Sequence, residues 1–337
     1  SCLLILHDWA DGLLLDPKEI DKERGVIHEE WRSRNVGQQR ILEQVLPKLY
    51  PGSKYGYRLP IGTMEVVDNF PPQALRDYYE AWYRPDNQGI IVVGDIDPDV
   101  IENKIKEVFS PIKMPENPKT RVYESVPDTP GTIYAIGADP EQQYSVFEIY
   151  FKSEVMPRNM RNTMIYMVQD YVTDMIAAML NARYNEMASN PDCEFAGASA
   201  SYGNYLVAST EDALSIGGVA KGDDVMPAFK SVYRELLRAV RGGFTMSEYD
   251  RARSEYLSRL EKAYNNREHT ETENYSREIV RTFVDNVPMP GIETEYQLMN
   301  AVAGQIPVDA VNQALKELVA DDNRAVLMML PEKTGVL

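Results

Sequence analysis

Five prolines, Pro111, Pro115, Pro118, Pro127 and Pro130, fall between Ser110 and the end of a charged stretch at Pro130. Proline has no amide donor and a fixed φ, so this run suits neither a helix interior nor a central strand. Its composition is that of a linker. The 337-residue chain is therefore expected to divide into residues 1–110, a linker at 111–127 and a second domain at 128–337. Two domains also agree with a span of ~100–200 residues per domain.

Before the linker, Asp16 can cap a helix whose first position is Pro17, with Glu19 placed for a capping box and Leu15 and Ile20 spaced as a staple. That helix is predicted over 17–34 and a second over 36–49, followed by the Gly/Pro/Tyr-rich loop 50–57. Residues 72–83 read as a helix that stops at Arg84-Pro85. The β-branched run GIIVVGDI, residues 89–96, reads as a buried strand, and 98–109 as a helix. Beyond the linker, strands are predicted at 132–138, 146–151, 195–202, 205–210, 214–220 and 325–330. A long helix is expected over about 159–188, with further helices at 225–240, 247–266 and 307–319. This pattern predicts an α+β chain. Trp82–Asn87 and Leu318–Asn323 each lead through an Asp-Asn turn into an apolar strand, 236 residues apart, which suggests a duplicated domain. Residues 1–9 read as the middle of a helix, without initiator methionine, basic region or cap, so an N-terminally truncated piece is expected.

The net charge of -17 argues against nucleic acid and against an anionic membrane surface. With Cys2 and Cys193 the only cysteines, neither a disulfide framework nor a cysteine-rich zinc site is possible. No apolar run reaches the ~18–20 residues of a membrane span. Phosphate loop, dinucleotide fingerprint, nucleophile elbow and EF-hand are all absent. Tyr166, Met167, Tyr171, Met175 and Met179 recur at helical spacing and read as core. The basic helix around Arg251–Arg267 reads as a salt-bridged face.

The most informative segment is Glu23–Arg32, ERGVIHEEWR. Glu23 and Glu30 are two helical turns apart, so both leave one face about 10 Å apart along the axis. The plainer reading is an acidic helix laced by Lys22, Arg24, Arg32 and Arg34. The segment resembles the third-ligand helix of the pitrilysin/insulinase family, the inverzincin zinc metallopeptidases. Tyr55–Thr63 is similar to that family's following loop, and Tyr78–Asn87 running into Val92–Asp95 to its next helix and strand.

The resemblance implies two related domains, each a mixed or antiparallel sheet with helices packed mainly on one face. It implies Zn in the complete protein, Glu30 as a metal ligand and Glu23 as the carboxylate supporting that site, with Glu29 the competitor in register. Peptide or unfolded-protein substrates follow, enclosed with a second peptidase half or dimer mate, in the periplasm or cell envelope. The family's His-x-x-Glu-His should lie roughly 75 residues before the third ligand. Yet the only histidines are His7, His28 and His269, and none makes that motif. A catalytic zinc needs three protein ligands and an open position, so the chain alone is expected to be inactive and to bind zinc weakly. The family's Leu-Arg…Gly-x-Tyr segment is also missing near Ala188–Phe195, and Arg183 reads as a packing residue. The alternative is a non-catalytic family member acting as scaffold or peptide-binding partner.

Overall fold

The computed structural model describes residues 2–333. In chain order the elements are helices α1 (Cys2–Asp11), α2 (Pro17–Arg34), α3 (Gly37–Leu49), α4 (Met64–Asn69), α5 (Pro72–Trp82) and α6 (Pro98–Phe109), then strands β1 (Thr132–Asp139) and β2 (Val146–Glu154). They continue with α7 (Arg158–Arg161), α8 (Met164–Ala188), β3 (Phe195–Asn204), β4 (Glu211–Ala220), α9 (Met226–Gly242) and α10 (Met246–Asn265). The last are α11 (Thr272–Asp285), α12 (Ile292–Ala303), α13 (Val308–Leu318) and β5 (Arg324–Pro331). The expected α+β class holds.

The elements gather into two compact units that interleave along the sequence: Ser1–Arg34 with Leu59–Val122 and Thr270–Asp285, and Asn35–Arg58 with Tyr123–His269 and Asn286–Leu337. The larger unit is built on a five-stranded mixed sheet of order β1-β5-β2-β4-β3, in which only β1 and β5 run parallel. Phe147, Ile149 and Phe151 of β2 point into a core with Tyr171, Met175, Met179 and Tyr184 of α8 and with Val232 and Leu236 of α9. Burying each such side chain is worth ~1.5–3 kcal/mol. The packing leaves no room at Gly218 on β4, where a Cβ would come 2.6 Å from the Phe147 ring. On β1, Gly137 gives the same close approach to Ile41 of α3, at 2.6 Å. Arg40 then ties α3 to the end of β1, with Nε 2.8 Å and Nη2 2.7 Å from the Asp139 carboxylate. Helix α10 opens on a full capping box between Thr245 and Glu248.

The smaller unit consists of α1, α2, α4, α5, α6 and α11, with no strand among its described residues. Helix α2 spans the predicted residues, and the Asp16 carboxylate caps it by accepting from the Lys18 amide at 2.8 Å. Glu19 turns instead to Lys22, at 2.6 Å. Two predicted strands do not form. Residues 89–96 are irregular, with a bend at 94–95 and no ladder partner among the described residues, and the Phe283 ring lies against Gly89. Residues 205–210 form a turn, closed by Tyr205 donating to the Glu211 carbonyl at 2.8 Å, with Leu206 at φ 50°. A residue in the left-handed region interrupts an extended strand.

Candidate zinc-ligand helix

The nearly four turns of α2 between Ile20 and Arg34 decide where its acidic side chains can point. Ile20 is the buried residue of the helix. One turn on, Arg24 reaches α4: its guanidinium donates to the Val67 carbonyl and, at 2.8 Å, to that of Phe70, and it lies 4.1 Å over the Phe70 ring. A further turn on, His28 Nε2 meets the Asp68 carboxylate at 2.7 Å. Arg24 and His28 are four residues apart and share a face, so α2 is pinned along that face to the 67–70 segment.

Glu23 and Glu30 project from a different face, about 20° apart around the axis. Glu23 is exposed and forms no hydrogen bond or ion pair among the described residues. The Glu30 side chain is 42% exposed and pairs with Arg34 at 2.8 Å, while Glu29 pairs with Arg32 at 3.2 Å from another side. The helix therefore carries both carboxylates that the sequence singled out on one accessible side, and His28 is spent on Asp68. The role of Asp68 as the anchor of His28, forty residues away, carries no sequence signal.

His7 packs at a tilt 5.8 Å from Phe109 and lies 3.6 Å from Asp8, and His269 is exposed in a short turn after α10. Nowhere among the described residues do three His, Cys, Asp or Glu side chains converge on a point that could hold a metal. One carboxylate already engaged with an arginine is not a zinc site, because three protein ligands are needed. The residues of this chain do not fit the metal without donors from elsewhere.

In the same unit, a cavity of about 390 Å³ opens beside α5, lined among others by Leu13, Leu15, Arg76, Tyr79, Arg84 and Lys113. Arg76 donates to the Leu15 carbonyl and Tyr79 to that of Trp9, both at 2.8 Å, so these two side chains hold the connection after α1 and the last turn of α1 itself. Arg183 is committed to packing: it forks onto Glu248, reaches Glu235 at 3.2 Å and stands 5.0 Å over the Phe244 ring. No helix is long and apolar enough to cross a membrane among the described residues.

Known proteins resemble this chain in sequence and in fold. Probable zinc protease PqqL of Escherichia coli K12 is 25% identical over 317 residues, covering 94% of this chain and 33% of that protein. The zinc protease PQQL-like protein of Arabidopsis thaliana is 25% identical over 343 residues, covering 100% of this chain and 32% of its own length. The chain thus spans about a third of the length of these relatives. In structure, the first half of the periplasmic protease PqqL from Escherichia coli superposes with a TM-score of 0.85 at 24% identity, covering 98% of this chain and 69% of that one. Pitrilysin superposes with a TM-score of 0.68 at 16% identity, covering 97% and 34%. At such identities the likeness is one of fold. The model of the peptidase M16 inactive domain matches residues 69–256, more than half of the sequence, and the chain belongs to the M16 family of insulinase-type and pitrilysin-type peptidases.

Proposed function

We propose that this chain is the section of a zinc-dependent M16 endopeptidase that contributes the third metal ligand, Glu30, and its supporting carboxylate, Glu23, and that it is inactive by itself. The observation that carries this reading is the pair of carboxylates on one accessible face of α2, a helix held from another face by Arg24 and His28. The naming of full-length relatives as zinc proteases supports it. In this reading residues 1–110 belong to the metal domain and 128–337 to a second domain without metal. Zn is then bound only when histidine donors outside this sequence join Glu30. The substrates are peptides or unfolded proteins, enclosed between this half and a second peptidase half. The name of the Escherichia coli relative as a periplasmic protease supports a periplasmic setting.

The test compares the 337-residue chain with a longer protein that carries His-x-x-Glu-His upstream. Zinc content by elemental analysis and cleavage of an unfolded-protein substrate should both appear only in the longer protein. Glu30→Gln should strip its zinc. The Glu30–Arg34 ion pair favours a second reading, in which the parent is a non-catalytic scaffold and Glu30 is a surface charge. A longer protein that neither holds zinc nor cleaves the substrate would support that alternative.

A further inference from the structure

The start of β4 buries a carboxyl group that the proposed peptidase role does not use. Glu211 is 4% exposed, and its Oε1 has no hydrogen-bond partner. Lys152 on β2 is 7% exposed, and its ammonium donates to the Pro127 carbonyl at 3.3 Å without forming an ion pair with Glu211. The other charged and titratable groups around Glu211 are Asp128 ahead of β1, Asp212 beside it on β4, and Tyr205 in the preceding turn. Tyr202 stands at the end of β3, and Glu154 lies opposite Glu211 in the β2–β4 ladder. Asn323, ahead of β5, lies near the Glu211 carboxyl but gives its side-chain amide to Asp128 at 2.6 Å.

The same residue closes the 205–210 turn, because its backbone carbonyl accepts from the Tyr205 amide at 2.8 Å. The turn in its closed form grips the end of α3. Tyr205 donates its hydroxyl to the Leu49 carbonyl at 3.1 Å. Tyr50 donates to the Tyr205 carbonyl and accepts from the Val207 amide at 3.1 Å. Thr210 donates to the Glu124 carbonyl at 2.6 Å. Between them these bonds fasten α3, the turn and the segment before β1.

We propose that Glu211 is a protonation latch, whose neutral carboxyl keeps the 205–210 turn closed on the end of α3 and whose ionisation loosens it. A buried carboxylate with an unpartnered oxygen is costly, whereas opening the turn lets it hydrate. Burial pushes the Glu211 pKa up to about 7; Lys152 works against that shift and Asp128 adds to it. The folded value lies above the ordinary one, so the closed turn is fully stabilised in acid and loses that stability as pH rises to about 7. At its other end α3 is held by Arg40, which together with the Glu141 amide keeps the Asp139 carboxyl below the usual carboxylate range. That end should not respond between pH 5 and 8, and it serves as the internal control.

Hydrogen exchange of the 337-residue chain between pH 5.5 and 7.5, corrected for intrinsic rates, tests the latch. Opening of the 205–210 amides should rise about tenfold over this range, the equivalent of one pH unit of linkage. The start of α3 should hold constant. Glu211→Gln should abolish the rise. Should that variant fail to fold, Asp128→Asn, which removes a neighbouring negative charge, should move the transition to lower pH. A flat profile in the unsubstituted chain, a Glu211→Gln variant that keeps the rise, or an unmoved transition in Asp128→Asn would each overturn the latch.

Discussion

Arg183 of α8 grips Glu248 of α10 through two parallel bonds, Nε to Oε1 at 2.6 Å and Nη2 to Oε2 at 3.0 Å. Arg183 also meets the nearly buried Glu235 of α9, so one guanidinium joins three helices. Removing it leaves Glu248 without a cation and Glu235 with only the exposed Arg238. Arg183→Ala should cost roughly 3 kcal/mol, at the low end for breaking a buried pair, as measured by urea denaturation with an unchanged m value.

The same pair sets an acid limit. Arg183 and the Thr245 cap lower the Glu248 pKa to about 2, against the opposing effect of burial. A depressed carboxylate stabilises the fold above its ordinary pKa, and that contribution is lost as pH falls from about 4.5 towards 2. Glu248→Gln should therefore flatten the acid limb of the stability curve, followed by circular dichroism, and its cost should shrink steadily below pH 4.5 to become small only near pH 2.

Gly218 sits where any side chain would strike the buried Phe147 ring. Gly218→Ala should destabilise the fold by ~1–3 kcal/mol through overpacking. Phe147→Leu in the same chain should recover part of that loss, and a double-mutant cycle by chemical denaturation checks the coupling.

Arg24 and His28 clasp α2 to the 67–70 segment. Arg24→Ala removes two charged donors, each worth ~1.5–3 kcal/mol when buried. Faster hydrogen exchange across α2 and α4 should result, without change in the β2 and β4 amides.

The register of the proposed metal ligand is separable on the same helix, because Glu29 points about 100° away from Glu30. In a longer protein with the histidine motif, Glu29→Gln should leave zinc affinity unchanged, read with a chromophoric chelator. Glu23→Gln should weaken it about 10–100-fold, as expected for a residue that supports a ligand.

Local chemistry made much of this legible. The bounds of α2 follow from Asp16 and Pro17, which act within one turn, and the seven-residue spacing of Glu23 and Glu30 is a property of the helix itself. The apolar runs that became β1, β2, β4 and β5 likewise announce themselves, although Tyr134 and Ile136 of β1 stay exposed. GIIVVGDI carries the same signal, yet a strand exists only as half of a ladder, and no described segment pairs with it. Residues 205–210 looked extended until Leu206 turned left-handed and Tyr205 bonded back to Glu211.

What the sequence alone determined was the class of fold and the face of α2, consequences of period, caps and short spacings, and, through its resemblance to known peptidases, the family. Only the tertiary structure decided that Arg40 finds Asp139 across 99 residues, that His28 is taken by Asp68, and that Glu211 is buried with an oxygen left unpartnered. Such contacts join segments distant in sequence, and pairing and burial between them depend on how the whole sheet and its helices close, which no local pattern records.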